Sequence, residues 1–135
     1  MKFLLVLLLG ISSAFAADLT VNITGHDNDR GNINIAIWDN ARDWSSKANE
    51  YDAVIIPASE SQAVFRNLRP GTYAIAIYHD KNSNGRLNTN FMGIPTEEFG
   101  FSTNPGFITG HPSFRSVSFT FNSSTSISIN LRKVL

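Results

Sequence analysis

Asp80, Asn82 and Asn84 lie at alternate positions and are followed by Gly85, within the stretch HDKNSNGRLN. Three alternate side-chain oxygens can converge on one hard cation, and glycine permits the sharp turn that such a loop needs. In a calcium loop of the EF-hand kind the carbonyl of Arg86 takes the seventh position. Asn88 takes the ninth, directly or through water. The twelfth position calls for a bidentate carboxylate and instead holds Phe91, so Glu97 or Glu98 must return from further along the chain. Asp80 and one glutamate give the ligand set a charge of about −2, which predicts weak calcium binding, with Kd of roughly 10⁻⁴–10⁻³ M. The competing expectation is a network of Asx turns, in which Asn and Asp side chains cap their own backbone.

Other constellations point to chemistry less specifically. HDNDRGN, from His26 to Asn32, carries Asp27, Asn28 and Asp29 before a glycine; it reads first as a hairpin turn between the opening strands, with a second ion site as the alternative. His26, His79 and His111 have no short spacing of the zinc-site kind. His79 shares strand parity with Ile75 and Ile77, so its ring is expected inward, bonded to a loop carbonyl. Ser102, His79 and Asp80 make a triad on paper only, since no nucleophile-elbow pattern accompanies them. The adjacent Glu97 and Glu98 face opposite ways on an extended chain and cannot work as a glycosidase pair. The expectation is therefore a non-enzymatic protein. Its alternative to ion binding is a glycan- or peptide-binding module that stacks ligands on Trp38, Trp44, Tyr51, Tyr78 and Phe91.

Strands must position these residues. Leu19, Val21 and Ile23 alternate with polar neighbours, as do Ile33, Ile35 and Ile37; Tyr73, Ile75 and Ile77; Val117, Phe119 and Phe121; and Ile127, Ile129 and Leu131. Period-two alternation predicts sheets with one wet and one dry face. AVIIPAS is a shorter strand that Pro57 pushes to an edge. ARDWSSKANEYD allows one short turn of helix. The fold class expected is all-β: a two-sheet antiparallel β-sandwich of about seven strands with one long loop, Lys81–Pro112. That loop carries Leu87, Phe91, Met92, Ile94, Phe99, Phe101 and Phe107, apolar content that predicts order.

The N-terminal MKFLLVLLLGISSAFA has the layout of a secretory signal peptide, with cleavage expected after Ala16 and a single domain over residues 17–135. Its apolar run is too short for a stable span, and no later segment is apolar enough to cross a membrane. A periplasmic or secreted destination follows as an expectation. The chain has no cysteine, so no disulfide supports the fold. Lys plus Arg number 11 and Asp plus Glu number 11; without the leader's Lys2 the balance is about −1. No basic field exists for nucleic acid. The partner expected is an unknown envelope component or a glycan.

VFRNLRPGTYAIAIYHD resembles the hairpin of transthyretin-like and carboxypeptidase-regulatory-like (Ig-like) sandwiches. There Pro70 presets a turn, Gly71 takes a φ that other residues avoid, and Tyr73 opens the next inward face. The continuation resembles a bacterial envelope family, domain-of-unknown-function family 2141. The shared pattern is His-Asp-x-Asn-x-Asn-Gly-x-Leu, then Gly-x-Pro-x-Glu and Gly-Phe-Ser. Asn88 stands where that pattern has Asp. The resemblance implies the fold and an envelope location, and it favours Glu97 over Glu98 as the returning carboxylate. It brings no activity.

Overall fold

The computed structural model describes residues 16–27, 30–106 and 110–133. The expected signal peptide lies outside that set except for Ala16, as do Asn28, Asp29 and Phe107. The strands are β1 (Ala17–Thr24), β2 (Asn32–Trp38), β3 (Asp52–Pro57), β4 (Gln62–Leu68), β5 (Gly71–Asp80), β6 (Phe99–Phe101), β7 (Phe119–Phe121) and β8 (Thr125–Asn130). Among the described residues two short helices accompany them, α1 (Ala41–Ser46) and α2 (Phe114–Val117).

The expected two-sheet sandwich is present, with eight strands among the described residues. One sheet runs β4-β1-β8, and the other runs β3-β2-β5-β6 with β7 on the opening residues of β5. Pairing is antiparallel except between β1 and β8, which lie parallel with Val21 beside Ile127. No turn joins those two strands directly, so nothing local forces them antiparallel. Apart from Val117, the inward sets behave as their alternation predicts. Leu19, Val21, Ile23, Ile33, Ile35, Ile37, Phe65, Ile75, Ile77, Phe121, Ile129 and Leu131 form the buried core between the sheets, with Ile127 half-buried at its margin.

Several local expectations need correction. β4 and β5 do not pair; they belong to different sheets, so Arg69 and Pro70 form a corner rather than a hairpin. Tyr73 fastens that corner by donating its hydroxyl proton to the Arg69 carbonyl, the tyrosine-corner device of such sandwiches. The left-handed residue there is Asn67 (φ 55°), not Gly71, because β5 already starts at Gly71. β1 and β2 likewise sit in different sheets, so the His26–Asn32 stretch bridges sheets instead of closing a hairpin. β6 interrupts the long Lys81–Pro112 segment and pairs Gly100 with Ile77. Three residues are too few for alternation to register. A Cβ on Gly100 would lie 2.9 Å from the Asn130 carbonyl oxygen, so glycine lets the two sheets approach here. Phe99 and Arg132 exchange backbone hydrogen bonds at the same seam.

A second apolar cluster covers the outer face of the five-stranded sheet. Ala36, Ala74 and Ala76 alternate with the inward isoleucines and leave room for Trp44, which packs edge-on to Trp38 with Val117 and Phe101 nearby. Trp44 donates to the Pro112 carbonyl (2.8 Å) and Trp38 to the Ala48 carbonyl (2.9 Å). Both indoles are therefore buried and satisfied. Val117 lies at the end of α2, not on a strand, and it joins this cluster instead of the central core.

Candidate functional site

The C-terminal end of β5 places His79 and Asp80 side by side, and β2 holds both in register through Ile33 and Asn32. The cross-sheet segment presses against them. A Cβ on Gly31 (φ 77°) would lie 2.1 Å from the Asp80 carbonyl oxygen, so only glycine fits. His79 and Asp80 are buried (0% and 2% exposed), as are Glu97 and Glu98 (5% and 2%).

Asp80 heads the loop. Its Oδ1 accepts from the Asn84 amide (3.1 Å) and its Oδ2 from the Gly85 amide (2.8 Å). Glu97 closes the loop from the other side, accepting from the Lys81 amide (2.8 Å) and the Asn88 amide (2.8 Å). The asparagines knit the space between. Asn82 Oδ1 accepts from the Asn84 amide, Asn84 Oδ1 from the Arg86 amide, and Asn88 Oδ1 from the Asn84 side chain. Ser83 adopts a left-handed φ of 55° to make the bend. Beyond it, Asn90 Oδ1 caps the Met92 and Ile94 amides and shapes a tip that leaves Phe91 96% exposed. Phe91, at the twelfth position, thus points away from the loop.

The sequence-selected set of Asp80, Asn82, Asn84, Asn88 and Glu97 is therefore one connected network, and Arg86 joins it through its amide. Glu97, not Glu98, is the carboxylate that returns. Tyr78 lies just outside, hydrogen-bonded by Asn34 (2.7 Å). Burial raises its pKa against the effect of that bond, with the negative charges of Asp80 and Glu97 adding to the rise.

Glu98 turns the opposite way, toward His79. Its Oε1 lies 3.4 Å from His79 Nδ1 and 3.2 Å from Lys81 Nζ. Lys81 also pairs with Asp27 (3.0 Å), and Lys133 pairs with the other Asp27 oxygen (3.3 Å). Lys81, the neighbouring Glu98 carboxyl and, against the cost of burial, Lys133 hold the Asp27 carboxyl well below the usual carboxylate range. Burial pulls the Lys81 pKa down, and the two carboxylates more than offset this, leaving it raised. His79 Nε2 lies 2.7 Å from the Arg30 carbonyl oxygen, so the loop carbonyl it bonds is in the cross-sheet segment and not in the long loop. Pattern reading passed over Asp27, Lys81 and Glu98 as a group because they come from separate segments. One signal was present: if Glu97 faces the loop, Glu98 must face the side of His79.

Ser102 is not disposed as a nucleophile. It is fully buried, donates to the Val117 carbonyl (2.6 Å) and accepts from the Ile75 amide (3.0 Å). His111 packs on Trp44 and bonds its carbonyl (3.1 Å); burial lowers its pKa, against that hydrogen bond. The stacking set loses both tryptophans to the second cluster. Of its members only Tyr51 (43%) and Phe91 (96%) are well exposed.

The sequence model of the family described as "Uncharacterized protein conserved in bacteria (DUF2141)" matches residues 21–129, and the chain belongs to that family. No curated protein matches the chain. Among solved structures the chain is similar to a fimbrial assembly protein from Parabacteroides distasonis, at 9% identity and a TM-score of 0.45, over 90% of this chain. The chain spans 53% of that protein's length. Among the described residues no helix is long and apolar enough to cross a membrane.

Proposed function

We propose that this protein is a small non-enzymatic module of the bacterial envelope whose long loop binds calcium weakly. The ligands are Asp80, Asn82, Asn84, the Arg86 carbonyl, Asn88 and Glu97. What supports this reading most is the burial of two carboxylates, Asp80 and Glu97, that meet only amide donors. Among the described residues neither has an ion-pair partner. Buried charge without a counter-charge is costly. A hard divalent cation would supply that charge. Each carboxylate oxygen in the network accepts one hydrogen bond there and has a further lone pair for a metal. The signal-like N-terminus supports the envelope location. The absence of cysteine from a chain bound for that compartment supports a stabilising ion.

The rival reading is a purely structural turn. The amide bonds to Asp80 and Glu97 favour it, since they already satisfy both carboxylates in part. Calcium titration of the chelator-stripped protein, by calorimetry and thermal melting, separates the two. With Kd near 10⁻³ M, 10 mM calcium stabilises by about 1.4 kcal/mol, or roughly 5 °C in melting temperature. Glu97→Gln should abolish the gain. No heat and no shift at 10 mM, about ten times the weak end of the expected range, would leave a capped turn. The search for a ligand would then move to Phe91 and Tyr51, as a glycan- or peptide-binding face.

A further inference from the structure

His79 Nε2 faces a carbonyl oxygen, which only accepts, so Nε2 carries the ring hydrogen. In the neutral ring Nδ1 is then bare. Among the described residues this buried nitrogen has no hydrogen-bond partner, and it faces Glu98 Oε1, a second buried atom whose one close polar contact besides it is the Lys81 ammonium. With a neutral ring two lone pairs face each other at 3.4 Å, a contact that a metal ion between them would close. Ligands about 2.1 Å from a tetrahedral ion stand about 3.4 Å apart. One ligand atom each from Asp27, His79 and Glu98 falls within 4.8 Å of the others.

His26 repeats the pattern one step out. Its Nε2 lies 3.1 Å from the Ala58 carbonyl oxygen, its buried Nδ1 has no partner among the described residues, and its ring stands edge-on to His79 at 5.7 Å. An imidazole that gives one N–H to a backbone carbonyl and keeps the other nitrogen bare has the outer bonding of a metal ligand. Lys81 Nζ now serves as the local cation, 3.0 Å from Asp27 and 3.2 Å from Glu98. Its side chain is 19% exposed, so the ammonium has a route to water.

We propose that Asp27, His79 and Glu98 form a second metal site, for a borderline divalent ion of the zinc class, with Lys81 as a tethered cation that the metal displaces. Water takes the fourth position. The nitrogen ligand and the mixed N/O set suit zinc and not calcium. The site is distinct from the Asp80–Glu97 loop and stands whether or not that loop binds calcium.

The test is a zinc titration of the chelator-stripped protein by calorimetry, with cobalt absorption to report coordination. One equivalent should bind, and cobalt should give the strong visible bands of four-coordination. Glu98→Gln, nearly isosteric, should weaken zinc binding by at least about tenfold and leave the calcium response unchanged. Lys81→Met removes the competing ammonium and should tighten zinc binding by about tenfold. If Glu98→Gln fails to fold, Asp27→Asn at the exposed edge replaces it, with the same weakening expected. No binding by wild type and Lys81→Met alike would overturn the site. So would zinc binding that neither the carboxamide variants nor Lys81→Met alters, which would assign the ion to other residues.

Discussion

His79 and Asp80 are neighbours on β5, and Glu97 and Glu98 are neighbours on the returning chain, yet the four side chains sort into two sites of opposite character. Asp80 and Glu97 are solvated by backbone amides, with no cation in contact among the described residues. Glu98 and His79 share their space with an ammonium. The first site is built by a single loop folding on itself. The second gathers residues from the cross-sheet segment, the end of β5 and the entry to β6. Local turn chemistry supplies N–H donors in abundance, because a tight loop leaves its amides without ladder partners. At the β5–β6 junction the backbone is committed to pairing, as in the His79 amide bonded to the Glu98 carbonyl (2.9 Å). Side-chain charge must therefore be met by side-chain charge.

The largest expected effect comes from removing the ammonium. Lys81→Met should cost about 3 kcal/mol in chelator, since it leaves a buried carboxylate uncompensated. Denaturant unfolding measures this, and added zinc should restore most of it. A loss under about 1 kcal/mol would mean that Lys81 does not hold Glu98, and the contrast between the sites would collapse.

Next is Asp80→Ala. It strips the acceptors from the Asn84 and Gly85 amides and should cost about 2 kcal/mol even without calcium. Equal stability of Asp80→Ala and wild type in chelator would show that the amides do not depend on the carboxylate.

Tyr73→Phe, at the corner remote from both sites, should cost about 1 kcal/mol and alter neither metal response. It calibrates the others. A change in calcium or zinc affinity in this variant would mean that the two ends of the sandwich are coupled.

The smallest effect concerns acid. The folded-state pKa of Asp27 is depressed, so its contribution is present above its ordinary value of 3.8 and is lost as pH falls below that value. Asp27 is about half exposed, so salt screens this contribution. Acid unfolding of Asp27→Asn should therefore show a slightly shallower loss below about pH 4 than wild type, and high salt should erase the difference. A difference that survives high salt would place Asp27 in a drier setting than its exposure indicates.

The alternation of Leu19, Val21 and Ile23, of Ile33, Ile35 and Ile37, and of Ile75 and Ile77 determined by itself which residues face the core. Burial of one face of a pleated strand demands a period of two, and that demand is written along the chain. The Asp80–Gly85 spacing likewise determined a self-bonded loop, because Asx chemistry acts over a few residues. Tertiary structure alone decided which strands share a sheet. It turned two supposed hairpins into corners, set β1 parallel to β8, and made a strand of Phe99–Phe101. It also buried Trp38 and Trp44 on an outer face that alternation marks as wet, since the small side chains of Ala36, Ala74 and Ala76 accept a covering layer only once α1 and α2 supply one. Above all it brought Asp27 to His79 and Glu98. No local rule links residues so far apart in sequence; they meet because two sheets close over one core.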